Sequence, residues 1–397
     1  MSVRRLTTVA VLWVAVSWLP SPSLLASAQS SDDSSSADKS WSASSQEQSA
    51  SGNVNPTRTQ QSHEVENGRV VDKESTERLG PDGRYVPYLD VEKESVKVDA
   101  NTTKTINRTF TRDSDGRRTL SQVTEEETRS LPGGGQHSTL TTSNPDANGQ
   151  LQVVQREIQD TKQISPDIKE TRTTVLTPSS NGGLAPALQR EERETRRSDQ
   201  LTEFKKSTLL PDTNGNWVLN EVRQGAIRSE NGKESTREEN VLRPDNDGRL
   251  AVVERTIRKE SESAPGDKQQ TTETYSTNVP GGFGEGRLSL SQRVSTVQST
   301  SSDGRQVTQT QTDARTAGNL DSGLRPTEKA IDIIRPGSNG KSEEQHTTES
   351  PAASGGMGVT WIDTRQSTKT ATVQIDIAKP SATPAPKVNP APAAKSQ

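Results

Sequence analysis

Cysteine is absent from all 397 residues. No disulfide can brace the chain, thiol chemistry is excluded, and so is a lipid-bearing cysteine after a leader peptide. Aromatic residues make up 3% and histidines number three, His63, His137 and His346, spaced far apart. Leu, Ile, Val and Phe total 68 residues (24, 12, 29 and 3). That is under the roughly 20% that marks chains too poor in apolar groups to fold. An excess of one charge sign is missing as well, with 49 Lys and Arg against 53 Asp and Glu. The signs are interspersed, as in "REERETRRSD" (190–199). A nucleic-acid binder carries a basic stripe, so nucleic acid is not expected as a partner.

Long apolar runs are also missing, with one exception. Arg4 and Arg5 precede Leu6–Leu19, followed by Pro20 and the small residues Ala26-Ser27-Ala28. A basic start, a short apolar stretch and an A-x-A site describe a signal peptide, residues 1–28, cut before Gln29. The run is shorter than the roughly 20 residues of a spanning helix. The expected location is secreted or periplasmic, with no membrane span in the mature chain.

What is present is a repeat. Asn-Gly or Asp-Gly recurs at Gly83, Gly116, Gly149, Gly182, Gly215 and Gly248, each 33 residues after the last. Four copies place proline four residues earlier: "PDANG" (145–149), "PSSNG" (178–182), "PDTNG" (211–215) and "PDNDG" (244–248). Looser copies follow at Gly286, Gly323 and Gly358, which makes nine units over 64–375. Two residues past the glycine stand Tyr85, Arg118, Leu151, Leu184, Trp217, Leu250 and Leu288. Four past it stand Pro87, Leu120, Val153, Pro186, Leu219, Val252 and Leu290. Both positions fall on one face of a strand. A second turn signal lies halfway through each unit, at Gly133, Pro166-Asp167, Asn231-Gly232, Pro265-Gly266, Asp303-Gly304 and Asn339-Gly340.

A 33-residue period also belongs to ankyrin repeats, but their paired amphipathic helices and T-P-L-H-x-A core are missing. Threonine and valine favour strands, and Asn-Gly and Asp-Gly are hairpin signals. In "GRLAVVERTIRKESES" (248–263) the apolar residues crowd beside the turn, whereas a parallel solenoid needs them along the whole strand. The expected fold is all-β: an elongated antiparallel β-meander of about nine two-strand units with an apolar belt near the anchor turns. Residues 29–63, rich in serine, and 376–397, rich in proline and alanine, are expected to be disordered.

The turns also resemble calcium loops, D-x-[DN]-x-[DN]-G-x5-E. "RPDNDGRLAVVE" (243–254) offers Asp245, Asp247 and Glu254 but begins with Arg243. "NPDANGQLQVVQ" (144–155) ends in Gln155, "LPDTNGNWVLNE" (210–221) begins with Leu210, and "PSSNG" has no carboxylate. The turn reading is preferred, with Asp or Asn capping and glycine left-handed. No metal or cofactor site is assigned. The histidines read as solvated loop residues, no G-x-S-x-G elbow occurs, and "PGGFGEG" (280–286) precedes a strand rather than a helix. No catalytic residue is assigned and no enzyme is expected. Tyr85 and Tyr88 are the best exposed aromatics for carbohydrate, while Trp217 reads as core.

"DNDGRLAVVERT" (245–256) resembles the D-x-x-G-R-L core of the tyrosine–aspartate repeats of large secreted bacterial proteins. The resemblance covers a few residues per unit; the Tyr-Asp pair and the shorter unit of those repeats are missing. The functional expectation is a secreted or periplasmic, non-enzymatic scaffold, spacer or surface-interaction element. Its partner would be a cell-surface polymer or a protein. The alternatives are a carbohydrate- or calcium-binding repeat module and a largely disordered secreted protein.

Overall fold

The computed structural model describes residues 40–49, 56–66, 68–113, 115–230, 232–277, 287–315, 323–338, 341–352 and 355–375. The expected signal peptide and the proline-rich tail lie outside these residues. Twenty strands follow in chain order: β1 (Ser40–Ser49), β2 (Thr57–Glu66), β3 (Arg69–Leu79), β4 (Tyr85–Lys97), β5 (Thr102–Arg112), β6 (Arg118–Leu131), β7 (Gly135–Pro145), β8 (Leu151–Ser165), β9 (Ile168–Pro178) and β10 (Leu184–Ser198). The second half comprises β11 (Leu201–Pro211), β12 (Trp217–Glu230), β13 (Glu234–Pro244), β14 (Leu250–Ala264), β15 (Asp267–Ser276), β16 (Ser289–Thr300), β17 (Gln306–Ala314), β18 (Arg325–Pro336), β19 (Lys341–Pro351) and β20 (Met357–Ile375). A single 3-10 turn at Pro132–Gly134 is the one helical element among the described residues.

Every strand pairs antiparallel with its chain neighbours, so the expected meander of two-strand units is what the chain builds. It starts earlier than the periodicity does. β1 and β2 lie largely inside 29–63, the segment expected to be disordered. Serine and threonine there need no apolar core of their own, because a neighbouring strand supplies the ladder bonds.

The anchor turns at Asp113, Asp146, Asp212 and Asp245 form as the Asx-capped hairpins that the sequence implies. Asp146 Oδ1 accepts the N–H groups of Asn148 (2.8 Å) and Gln150 (2.9 Å). Gly149 N–H donates to the Asp146 carbonyl at 2.9 Å, and Gly149 takes φ +79°. This is the three-residue loop in which a type I turn is closed by a left-handed residue. Asp212 and Asp245 repeat it. Asp146 N–H also bonds the Gln150 carbonyl, so the adjoining Pro145–Leu151 pair exchanges no ladder bonds. Proline's missing N–H therefore costs nothing there. The looser copies differ: Gly323 and Gly358 are not left-handed, and Gly355 and Gly356 make the last anchor turn instead. Gly286 lies outside the described residues.

One device was not visible in the sequence. Six anchor hairpins carry a β-bulge five residues past the glycine, at Tyr88, Ser121, Val154, Ala187, Asn220 and Val253. The last three hairpins carry theirs at Ser291, Thr327 and Thr360. A bulge inserts one unmatched residue and so resets the alternation. Val123, Val222, Ile158 and Ile257 thereby fall on the same face as the residues two and four past the glycine. Without it they would point the other way.

The wall is a single layer. Among the described residues its buried apolar side chains are few, Val123, Phe204, Val222 and Val241. Exposed apolar residues such as Leu151, Val218, Leu250, Val359 and Trp361 gather behind the anchor turns, where the apolar belt was expected. The remainder is held by cross-strand polar pairs, including Thr161–Thr171 and Thr296–Thr310, each 3.1 Å between hydroxyls.

The sequence left open whether this sheet ends in free edges. It does not: β1 pairs with β2 on one side and with β20 on the other, in register from Glu47–Ser367 to Ser44–Thr370 and again beyond a shift. The ring is closed.

Candidate functional site

Closure turns a ribbon into an enclosure, so the lining of the wall is the candidate site. Face one, which carries the residues two and four past each anchor glycine, presents ionic ladders beyond the bulges. Arg172 meets Glu191 at 3.1 Å, Arg193 meets Glu170 at 3.2 Å, Arg255 meets Glu238 at 2.8 Å and Arg293 meets Glu273 at 2.7 Å. Face two carries Lys206–Glu192 at 2.6 Å, and Glu221 bridging Arg223 (2.7 Å) and Arg243 (2.9 Å). Strand alternation would ordinarily make one face apolar. Here both are charged and hydroxylic.

A recess lies on face one over β8–β11, about 480 Å³ in volume, lined by Asp160, Lys162, Glu170, Arg172, Glu191 and Arg193. Opposite charges alternate along it. The charges are held in place by one another: the guanidinium of Arg293 holds the Glu273 carboxyl below the usual carboxylate range, and Arg69 does the same for Glu94. At Glu221 burial pushes the carboxyl up, and Arg223 and Arg243 together outweigh it.

The histidines depart from expectation. All three sit within strands, each facing an aspartate across the ladder, because strands place cross-strand partners on one face. Nδ1 lies 2.5 Å from Asp72 at His63, 2.7 Å from Asp160 at His137 and 2.5 Å from Asp332 at His346. On the far ring nitrogen, Thr348 Oγ1 lies 3.1 Å from His346, and Thr139 Oγ1 lies 3.5 Å from His137. Aspartate, histidine and hydroxyl in line resemble a nucleophile–base–acid chain. Acyl transfer also needs unpaired N–H donors for an oxyanion, and backbone N–H groups in strands are spent on ladder bonds. The alignment follows from a threonine two residues along the same strand face.

At two of the turn tips the carboxylates are already engaged. Asp146 and Asp212 spend their carboxylates on backbone N–H groups, which hold both below the usual carboxylate range, Gln150 N–H foremost at the first and Asn216 N–H at the second. No group of three or more potential metal ligands occurs among the described residues. Trp217 is half-buried beside Pro211. The aromatics singled out for carbohydrate are capped: the Arg58 guanidinium lies 3.9 Å from the Tyr85 ring centre, and that of Arg78 lies 4.7 Å from Tyr88. A sugar would find those ring faces occupied.

No protein family matches this sequence, and no curated protein does. Among solved structures, the siderophore receptor PirA of Pseudomonas aeruginosa is 10% identical, covers 85% of this chain and 81% of its own, and superposes at a TM-score of 0.43. The alcaligin outer membrane receptor FauA of Bordetella pertussis gives 7%, 84%, 76% and 0.41. A mutant porin of Rh. blastica gives 8%, 85%, 99% and 0.31. At these values the likeness carries no argument about substrate or ancestry.

The expectation of a secreted repeat scaffold, spacer or surface-interaction element is nonetheless corrected, together with its carbohydrate-binding, calcium-binding and disordered alternatives. A spacer runs on as an open ribbon, whereas these strands close on themselves. A secreted or envelope protein remains the consistent location. No helix among the described residues is long and apolar enough to cross a membrane.

Proposed function

We propose that this chain forms a non-enzymatic, water-filled β-barrel of the cell envelope that conducts polar solutes along its lumen. The pairing of β1 with β20 carries the reading. Twenty strands about 4.8 Å apart, tilted by roughly 40°, make a wall roughly 40 Å across. Barrels of eight strands fill with their own side chains, whereas those of 16–18 leave an aqueous channel. Because both faces are ionic and hydroxylic, the lumen is polar whichever face turns inward.

The outer wall is made for polar surroundings over most of its height. A lipid-facing wall needs an apolar band about 25 Å tall, and a Lys or Arg at the bilayer midplane costs about 2–4 kcal/mol. On both faces charged residues follow closely behind the bulges, as at Arg156 and Glu157. The apolar zone behind the anchor turns is the part of the wall suited to lipid or to an apolar partner.

The test uses the absence of cysteine. Gln46 and Thr368 are register partners across the closing seam, so the double variant Gln46→Cys/Thr368→Cys should form an intramolecular disulfide on oxidation. The sealed barrel, docked on a solid-state nanopore, should carry a steady ion current. Free thiols after oxidation would refute closure, and a sealed barrel that blocks current would refute the conduit.

A further inference from the structure

We infer that Asn101 is the acceptor of an N-linked glycan. The inference depends on the chain being exported, as an envelope protein is, and not on conduction through the barrel. Two stretches have the Asn-x-Thr spacing that makes asparagine a glycan acceptor: Asn101-Thr102-Thr103 and Asn107-Arg108-Thr109. They lie six residues apart, and the fold treats them oppositely.

Asn101 sits in the turn between β4 and β5, at the end of the barrel away from the anchor turns, and is exposed. Its backbone is pinned: Asp99 Oδ1 accepts the N–H groups of Asn101 and Thr102, each at 2.7 Å, and the Asn101 carbonyl accepts Ser130 N–H at 2.8 Å. Its side-chain amide bonds nothing among the described residues. Thr103, the hydroxyl partner of the motif, is exposed too. The motif is thus held in a fixed turn with both recognition groups turned to solvent.

Asn107 is in the middle of β5, paired with Lys93 of β4 and Thr124 of β6. Its Oδ1 is buried. A transferase would have to strip β5 from two neighbours to reach it. The folded chain therefore offers one acceptor.

In the transfer, the Asn101 amide nitrogen attacks the anomeric carbon of a polyprenyl-diphosphate-linked oligosaccharide. The nitrogen–carbon bond forms, the bond from that carbon to the phosphate oxygen breaks, and polyprenyl diphosphate leaves with the electron pair. The amide gives up one proton to a base of the transferase.

The experiment incubates the folded chain with an oligosaccharyltransferase and polyprenyl-diphosphate-linked oligosaccharide, and maps the product by peptide mass spectrometry. The same map is made on chain recovered from the envelope fraction of its own cells. A glycan on the Asn101 peptide in both, lost in Thr103→Ala and kept in Asn107→Gln, is the expected result. An unmodified Asn101 in the envelope chain, transfer to Asn107 instead, or recovery of the chain in the cytoplasm alone would each overturn the proposal. A barrel that is glycosylated but blocks current would refute conduction and leave this inference standing.

Discussion

Replacing Gly225 by alanine tests the cross-strand packing of this wall most directly. Gly225 lies in β12 opposite Phe204 of β11 and Glu239 of β13. A Cβ added there would come within 1.8 Å of the Glu238 carbonyl oxygen and 2.8 Å of its carbon. The obstacle is main chain, which cannot swing aside as a side chain does. Phe204, its register partner, is 5% exposed, with the Arg237 guanidinium 4.5 Å above its ring. Overfilling a packed site costs about 1–3 kcal/mol, and a backbone obstacle places Gly225→Ala near the top, about 3 kcal/mol. The control is Gly215→Ala. Gly215 has φ +83° and open space around a Cβ, so its cost is that of the left-handed conformation alone, about 1–2 kcal/mol. Urea unfolding followed by circular dichroism compares them: Gly225→Ala should show the lower midpoint at an unchanged slope. Equal midpoints, or a Gly225→Ala midpoint above that of Gly215→Ala, would refute the assigned register of β11–β13.

Two further outcomes are expected. Asp146 and Asp212 have folded-state pKa values lowered by backbone N–H groups, so the stability they add is present above the unfolded value of about 3.9 and is lost as pH falls through the folded one. The thermal midpoint should drop on acidification below about pH 4, and less steeply in Asp146→Asn/Asp212→Asn; an unchanged acid-side slope would count against the capped turns. Calcium at millimolar concentration should leave the melt superimposed on that in chelator, because Asp245 Oδ1 is taken by Asp247 N–H at 2.9 Å and Arg249 N–H at 2.8 Å. An upward shift with calcium that Asp247→Ala abolishes would make the turns an ion-binding array.

The sequence by itself determined the period, the strand type and the anchor turns. Each is a local matter: an aspartate, two spacer residues and a glycine close a hairpin through bonds within five residues, and alternation over a few more sets a strand face. Gly149, Gly215 and Gly248 are left-handed for that reason, and Gly182 takes the same conformation with Ser179 in the aspartate's place. The tertiary structure alone decided what depends on partners distant in the chain. Closure joins Ser45 to Lys369, and no local pattern encodes which strand meets the first one. The bulges follow hairpin pairing, so Val222 could not be assigned to its face by counting along the chain. His137 reads as a loop residue until the ladder sets Asp160 across from it. Gly225 is required only because the ladder sets the Glu238 carbonyl where a Cβ would lie. Nor could composition show that polar residues line both faces of a closed wall, because that depends on which strands face one another rather than on how many charges the chain contains.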